Sequence, residues 1–273
     1  MAMDSSKIFR ALHEGQGAFI IPNPWDVGSA KFLASLGFKA LATTSAGHAF
    51  SRGRPDGGIS FADMIAHCRE IVASTGLPVS ADLEHGKGDS PESAEETIFA
   101  AEAAGLAGCS IEDSTGDPDN PIYDFELAVE RVSAAVEATR SLERDFVFTA
   151  RAENFLHGRR DMKDTIRRLQ AYERAGADVV YAPGLRDLNL VREVCASVSC
   201  PVNVLATSTF TKQELEEAGA KRISLGSLLS NSVYGFIRDA AHEMLEKGSF
   251  GFAAGAIPHP QLQVLMSDQT SEG

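Results

Sequence analysis

Short apolar runs alternate with longer amphipathic segments along the whole chain, and this alternation constrains the fold more than any other feature. The predicted strands are residues 18–23, 40–45, 78–83, 108–113, 146–153, 179–182, 201–206 and 222–226. The amphipathic segments predicted as helices include residues 61–74, 92–104, 125–142, 162–175 and 228–247. Strands that alternate with helices in this way form a parallel sheet covered by helices.

Eight such units within 273 residues favour a single closed (β/α)8 barrel, an α/β fold that typically takes about 250 residues. We therefore predict one domain over residues 1–273, with the barrel at about 17–249 and a C-terminal helical extension at 250–273. A doubly wound sheet is the alternative. It is disfavoured because no G-x-G-x-x-G motif follows the first strand, where the chain reads IPNPWD.

The charge and composition exclude several classes of partner. A net charge of -13 argues against nucleic acid and anionic membranes, since both require a basic surface. No apolar run approaches the roughly 20 residues that span a bilayer, and residues 1–16 lack the apolar core of a signal peptide. The four cysteines form no C-x-x-C pair and are expected to be reduced thiols. We expect a cytoplasmic protein.

Acidic side chains stand at the ends of the third and fourth predicted strands. In a barrel of this class the site lies at the C-terminal ends of the strands, and residues i and i+2 of a strand face the same way. Asp82 and Glu84 therefore share a face, and Glu112 ends the neighbouring strand. Carboxylates this close repel one another unless a cation or protons intervene. The predicted cofactor is Mg²⁺, with Mn²⁺ as an alternative, because both prefer oxygen ligands.

Other polar residues near strand ends are candidates for substrate binding and proton transfer. Arg151 ends the fifth strand and can clamp a carboxylate through two hydrogen bonds, or it can pair with Glu112 instead. Asn203 is an amide within an apolar strand and needs a partner, which a substrate carboxylate can provide. His48 and His157 follow strand ends and can transfer protons.

Together these motifs resemble those of the phosphoenolpyruvate mutase/isocitrate lyase superfamily, and the match covers nearly the whole chain. The residues that carry it are Pro24-Trp25-Asp26, Thr44-Ser45-Ala46-Gly47, Pro55-Asp56, Asp82-Leu83-Glu84-His85-Gly86-Lys87-Gly88, Ile111-Glu112-Asp113, Thr149-Ala150-Arg151 and Pro201-Val202-Asn203. The resemblance implies a Mg²⁺-dependent enzyme that acts on 2-oxo or 2-hydroxy acids through an enolate. It also implies a homo-oligomer, a tetramer or a dimer, in which the last barrel helix is exchanged between subunits.

The strand positions and the resemblance together give candidate roles to particular residues, and the metal ligands follow from the resemblance. Asp82 is the main metal ligand, and Asp56, Glu84 and Glu112 bind the metal through water. The candidate substrate-binding residues are Trp25, Ser45, Ala46, Gly47, Arg151 and Asn203. The candidate catalytic residues are Arg151, Glu112, His48 and His157.

One loop departs from the superfamily's pattern. Isocitrate and methylisocitrate lyases carry a K-[KR]-C-G-H loop whose cysteine protonates the departing carbanion, whereas residues 114–123 here read STGDPDNPIY. The chain therefore resembles a 2-methylisocitrate lyase-like branch without the cysteine loop. With no apolar periodicity, the loop is expected to add little to a core and to act as a gate over the site.

Three functions remain open from the sequence. The leading hypothesis is C–C cleavage or decarboxylation of a small 2-oxo or 2-hydroxy dicarboxylate such as oxaloacetate, because decarboxylation needs no acid on the leaving CO2. The second is P–C chemistry on a phosphonopyruvate-like substrate, by a hydrolase or a mutase. The third is a non-catalytic protein that binds 2-oxo acids.

Overall fold

Eight parallel strands form the centre of the molecule, whose structure, a computed structural model, describes residues 4–267. The strands are β1 (Phe19–Ile21), β2 (Leu41–Ala42), β3 (Val79–Asp82), β4 (Gly108–Glu112), β5 (Val147–Arg151), β6 (Val179–Tyr181), β7 (Val202–Leu205) and β8 (Arg222–Ser224). Each lies within its predicted range and is shorter at one or both ends.

The strands curl into a nearly closed barrel. Their order is β1-β8-β7-β6-β5-β4-β3-β2, so β1 and β2 are the two ends of the sheet. The amide of Ala42 in β2 donates to the carbonyl of Pro22, directly after β1, at 3.0 Å. The (β/α)8 barrel is thereby confirmed, and the doubly wound alternative is wrong.

Helices surround the barrel and extend beyond it. Those of the described residues are α1 (Ser5–Glu14), α2 (Val27–Ser35), α3 (Ser45–Ser51), α4 (Phe61–Ala73), α5 (Pro91–Ala103), α6 (Phe125–Ser141), α7 (Met162–Ala175), α8 (Leu188–Ser197), α9 (Lys212–Glu217), α10 (Leu228–Lys247) and α11 (His259–Met266), with a 3-10 turn at Gly251–Gly255. Each helix predicted above agrees with its counterpart within one residue. Within the part of the chain that the structure describes, no helix has the length and hydrophobicity needed to cross a membrane.

The N-terminal helix α1 closes one end of the barrel, and sequence analysis did not predict it. Its Phe9 is fully buried and clusters with apolar residues at or just before the starts of strands, among them Ala107, Val147 and Val179. Asp4 caps the helix by accepting a hydrogen bond from the Ser6 amide. The opposite end of the barrel, where the strands finish, remains available for a site.

Side chains on β5 show how the barrel interior is layered. Phe148 and Ala150 face outward into the core between sheet and helices, so Val147, Thr149 and Arg151 face inward. Val147 packs in the apolar cluster around Phe9. From one end of the barrel to the other, the interior therefore changes from apolar to polar to charged.

The last barrel helix, α10, is poorly covered in the single chain. Only Ser230 and Ala240 are buried among its 20 residues. The following extension turns back, and α11 reaches α2, where Lys31 Nζ donates to the Met266 carbonyl at 3.1 Å. The final part of the predicted extension, residues 268–273, lies outside the described residues.

Candidate active site

A cavity of about 800 Å³ opens at the C-terminal ends of the strands. Most of the predicted site residues line it: Ser45, Ala46, Asp56, Asp82, Glu84, Glu112, Arg151, His157 and Asn203. The remaining three, Trp25, Gly47 and His48, do not line this cavity. The four predicted metal ligands, Asp56, Asp82, Glu84 and Glu112, therefore all line one cavity.

Arg151 is the centre of the charge network in this cavity. Its Nη1 lies 2.5 Å from Asp82, its Nη2 lies 2.9 Å from Glu112, and its Nε lies 2.9 Å from Glu153. The parallel register sets Glu112 of β4 beside Arg151 of β5. The pairing with Glu112 that the sequence left open is therefore present, and one guanidinium links three neighbouring strand ends.

Asp82 is held in place from two sides. One oxygen contacts Arg151, and the other accepts a hydrogen bond from the Ser45 hydroxyl at 2.8 Å. Ser45 stands there because Thr44 caps α3, with its hydroxyl accepting from the Gly47 amide at 3.2 Å. The Thr44-Ser45-Ala46-Gly47 motif thus begins a helix directly against the Asp82 carboxylate.

The cavity holds more carboxylates than Arg151 can neutralise. Burial, followed by the charges of Asp82 and Asp56, raises the pKa of Glu84 to about 7. Burial and the charge of Asp82 also raise the pKa of Asp56. The pKa of Glu112 is raised well above its usual value because burial outweighs the favourable charge of Arg151. Raised carboxyl pKa values indicate uncompensated negative charge, which protons or a cation would relieve.

This set of donors fits a hard divalent cation such as Mg²⁺. The groups are all carboxylates, and Mg²⁺ commonly binds one or two of these while keeping several waters. Within residues 4–267, no three His, Cys, Asp or Glu side chains converge closely enough to hold an ion by themselves. The assignment of Asp82 as the direct ligand, with the other carboxylates binding through water, stays a prediction.

The structure separates the two histidines predicted to transfer protons. His157 stands in the exposed loop after β5 and lines the main cavity. His48 stacks on His67 of α4, with ring centroids 3.7 Å apart, beside a small cavity that Asp82 and Glu84 also line. Burial lowers the pKa of His48, and burial together with His48 lowers the pKa of His67 to about 4. Of the two predicted donors, His157 has the more direct access to a ligand in the main cavity.

Asn203 already has protein partners at both ends of its amide. Its Nδ2 donates to the Ser224 hydroxyl at 2.9 Å, and its Oδ1 accepts from Arg222 Nε at 2.9 Å. Sequence analysis expected a substrate carboxylate to be the hydrogen-bond partner of Asn203, but residues of β8 already provide its partners. Asn203 still lines the cavity, below the carboxylates.

Arg222 and Tyr181 are among the cavity residues that sequence analysis missed. Tyr181 ends β6, and its ring lies against the guanidinium of Arg151, 5.3 Å from centroid to Cζ. Arg222 opens β8 and donates to the Thr149 hydroxyl across the barrel at 3.0 Å. The i, i+2 alternation that identified Asp82 would also have placed Arg222 on the inward face with Ser224.

The loop at residues 114–123 is more ordered than expected. Ser114 and Ile122 form an antiparallel bridge, and the Thr115 amide donates to the Pro121 carbonyl at 3.0 Å. Ile122 and Tyr123 are buried, and the Tyr123 hydroxyl donates to Asp89 at 2.6 Å. The expectation that this loop adds little to a core is wrong for these two residues, and the exposed part is the tip at 116–120.

Comparisons with known proteins agree with this architecture. The family model for phosphoenolpyruvate phosphomutase matches residues 9–245. A candidate lyase/mutase from Burkholderia cenocepacia J2315 is 49% identical, with a TM-score of 0.94, over 97% of this chain and 96% of its own. An oxaloacetate acetylhydrolase solved with its product oxalate is 26% identical, with a TM-score of 0.87, over 97% and 95%. The 2-methylisocitrate lyase of Escherichia coli (strain K12) is 31% identical over 225 residues, covering 78% of this chain and 75% of the lyase.

The barrel fold, its acidic strand ends and these matches together place the chain in a class of α/β-barrel lyases and mutases. Within that class, the chain belongs to the phosphoenolpyruvate mutase/isocitrate lyase superfamily, which confirms the resemblance seen in the sequence.

Proposed function

We propose that this protein is a Mg²⁺-dependent lyase or decarboxylase that cleaves a C–C bond of a small 2-oxo or 2-hydroxy dicarboxylate, such as oxaloacetate, through an enolate. The observation that carries the proposal is the acidic cluster of Asp56, Asp82, Glu84 and Glu112 around Arg151 at the mouth of the barrel. When bound, the ion would supply Lewis acidity toward the 2-oxo and carboxylate oxygens of the substrate. Two superfamily relatives support C–C chemistry by name, a 2-methylisocitrate lyase and an oxaloacetate acetylhydrolase.

The chain's own residues would bind and orient the substrate. Asp82 would hold the ion, while Asp56, Glu84 and Glu112 would hold its water ligands. Arg151 and the turn at Ser45 would hold the substrate carboxylate, since both border the cavity beside Asp82. Fixed donors of this kind stabilise negative charge that develops during a reaction.

Proton supply is the step that separates the candidate reactions. CO2 leaves without needing a proton, so a decarboxylase does not require the loop cysteine that residues 114–123 lack. The enolate carbon must then be protonated, and His157 at the rim of the cavity or water would do this. Little or no cleavage of isocitrate or methylisocitrate is therefore expected.

A P–C hydrolase or mutase that acts on a phosphonopyruvate-like substrate is the second candidate. The match to the phosphoenolpyruvate phosphomutase family model favours it. A non-catalytic 2-oxo acid binder is the third candidate, since the same groups would bind such an acid without turnover.

A turnover screen distinguishes the three. Purified protein with Mg²⁺ is given 2-oxo and 2-hydroxy dicarboxylates and phosphonates, and products are followed by NMR and by phosphate release. The proposal predicts C–C cleavage of a dicarboxylate without phosphate release. Phosphate release from a phosphonate would favour the second candidate, and ligand binding without turnover would favour the third.

A further inference from the structure

We propose that Arg222 on the floor of the cavity holds the second carboxylate of the substrate, so that the site selects diacids over monoacids. This inference deepens the proposed function and depends on it for the nature of the ligand. It assigns a specificity-determining role to a residue that lies below the predicted catalytic groups.

The position of Arg222 places its guanidinium one layer beneath Arg151. Its Nη2 donates to Thr149, which stands two residues before Arg151 on the inward face of β5. Two residues along a strand rise by roughly 7 Å. Both arginines line the same cavity.

The layer around Arg222 leaves space for a ligand group. Barrel interiors are usually filled by bulky branched side chains. Here small hydroxyl residues line the cavity on β3, β4 and β8: Ser80, Ser110 and Ser224. The cavity therefore continues downward from the carboxylates toward Arg222.

Arg222 is a buried cation without an acidic partner in the part of the chain that the structure describes. It is 5% exposed, and its hydrogen-bond partners are Asn203 Oδ1, Thr149 Oγ1 and His13 Nε2. The Phe9 carbonyl can only accept, so the contact of His13 Nδ1 with it at 2.9 Å places the imidazole proton on Nδ1 and leaves Nε2 as an acceptor. All three partners are neutral acceptors. Charged side chains are rarely buried in this way unless they are paired.

The guanidinium retains hydrogen-bonding capacity toward the cavity. An arginine has five N–H groups, and three of them face the partners just named. A carboxylate accepts two parallel N–H bonds from an arginine, and such pairs are stronger than neutral hydrogen bonds. A substrate carboxylate at this point would satisfy both the charge and the remaining donors.

The spacing of the two arginines suits a diacid. The first carboxylate would lie beside Arg151 and Ser45, and the second would reach down to Arg222. A four- or five-carbon diacid can bridge these two levels, whereas a monoacid would leave the Arg222 charge unpaired.

Calorimetric binding in the presence of Mg²⁺ tests the inference with two ligands that differ in one group, malate and 2-hydroxybutyrate. Wild-type protein should bind malate at least 10-fold more tightly. Arg222→Gln should lower the affinity for malate roughly 10- to 100-fold, as expected for the loss of a charge-assisted pair. The same variant should bind oxalate as tightly as wild type does. Arg222→Lys retains the charge and should keep part of the preference, which preserves the test if the glutamine variant does not fold.

The control is Arg144→Gln, because Arg144 is also a largely buried arginine but donates to Glu102 and nearby carbonyls outside the cavity. It should lower Tm without changing the preference for malate. Equal weakening of malate, 2-hydroxybutyrate and oxalate in Arg222→Gln would assign Arg222 a structural role and overturn the inference. Wild-type protein that binds oxalate but binds malate no more tightly than 2-hydroxybutyrate would also overturn the inference. Failure of oxalate to bind wild type with Mg²⁺ would contradict the proposed function itself.

Discussion

Arg151 sits where the carboxylates of neighbouring strands meet, and each of its three nitrogens contacts a different one. One guanidinium offsets one negative charge, whereas Asp82, Glu84 and Glu112 stand together in a partly desolvated cavity. The residual charge explains the raised pKa of Glu84 and gives the site its expected affinity for a divalent cation.

The first prediction concerns Asp82 as the direct ligand. Asp82→Asn keeps the shape of the side chain but removes its charge, so Mg²⁺ affinity measured by calorimetry should fall by at least about 100-fold, beyond the 10–100-fold typical of outer-shell groups. The matched control is Asp119→Asn in the exposed part of the 114–123 loop, which should bind Mg²⁺ as wild type does. Unchanged affinity in Asp82→Asn would remove Asp82 from the metal site.

The second prediction concerns His13, which is 7% exposed beneath Arg222. Burial and then the charge of Arg222 lower the pKa of His13 from 6.5 to about 3. Below pH 6.5 the unfolded chain binds a proton that the folded chain does not, so the stability that this histidine contributes decreases as the pH falls toward 3. Between pH 7 and pH 5 this effect lowers the free energy of unfolding by about 2 kcal/mol.

Urea unfolding at pH 7 and pH 5 measures this effect. His13→Gln should lose less free energy of unfolding over that interval than wild type, whatever its stability at pH 7. His259→Gln, at an exposed position at the start of α11, should retain the wild-type dependence. Identical losses for His13→Gln and wild type would show that His13 titrates normally in the folded protein.

At the scale of elements, the eight strands and five of the eleven described helices were predicted because their apolar spacing is set locally. The helix α1 could not be predicted, because the burial of Phe9 depends on the end of a barrel that exists only after folding. In the site, too, features set by the local sequence were predicted, and features that exist only after folding were not. Alternation along the strands identified Asp82 and Arg151, but the three-way pairing of Arg151 depends on side-chain geometry between strands. Arg222 was missed because it begins its strand, whereas charged groups were sought only at strand ends.

The third prediction concerns the loop at 114–123, whose ends are fixed by the Ser114–Ile122 bridge and by buried Tyr123. Only the tip at 116–120 is exposed, so the gate is expected to be this tip alone. Hydrogen exchange with Mg²⁺ and oxalate should show slower exchange at 116–120. Little change is expected at Ile122 and Tyr123, because both are buried and should exchange slowly without ligand as well. Deleting residues 117–120 should lower kcat without unfolding the barrel. Unchanged exchange at the tip when oxalate is bound, with normal turnover in the deletion, would make it a static turn.

At the scale of the whole molecule, α10 presents an apolar surface that the single chain does not cover. Its exposed apolar residues are Leu228, Val233, Tyr234, Phe236, Ile237, Met244 and Leu245. An exposed apolar surface of this kind usually marks an interaction site. The superfamily resemblance identifies the expected partner as a second copy of the chain.

The fourth prediction is that the protein is a homo-oligomer, a dimer or a tetramer, assembled through α10. Sedimentation at micromolar concentration should show the oligomer for wild type, and Ile237→Asp should shift it toward monomer because a charge would be buried in the interface. Leu36→Asp places the same charge on another exposed apolar residue, after α2, and should leave assembly unchanged. A wild-type protein that sediments only as a monomer would contradict the prediction.

The measurement that tests the account most directly is the rate of C–C cleavage with Mg²⁺ and with EDTA, using oxaloacetate or the best dicarboxylate from the screen. Wild type and Asp82→Asn are compared, with the uncatalysed rate in Mg²⁺ alone subtracted. The account predicts turnover by wild type that EDTA abolishes and Mg²⁺ restores, and a rate at least about 100-fold lower in Asp82→Asn. Full turnover in excess EDTA, or equal rates in the two proteins, would contradict a metal-dependent reaction at this site.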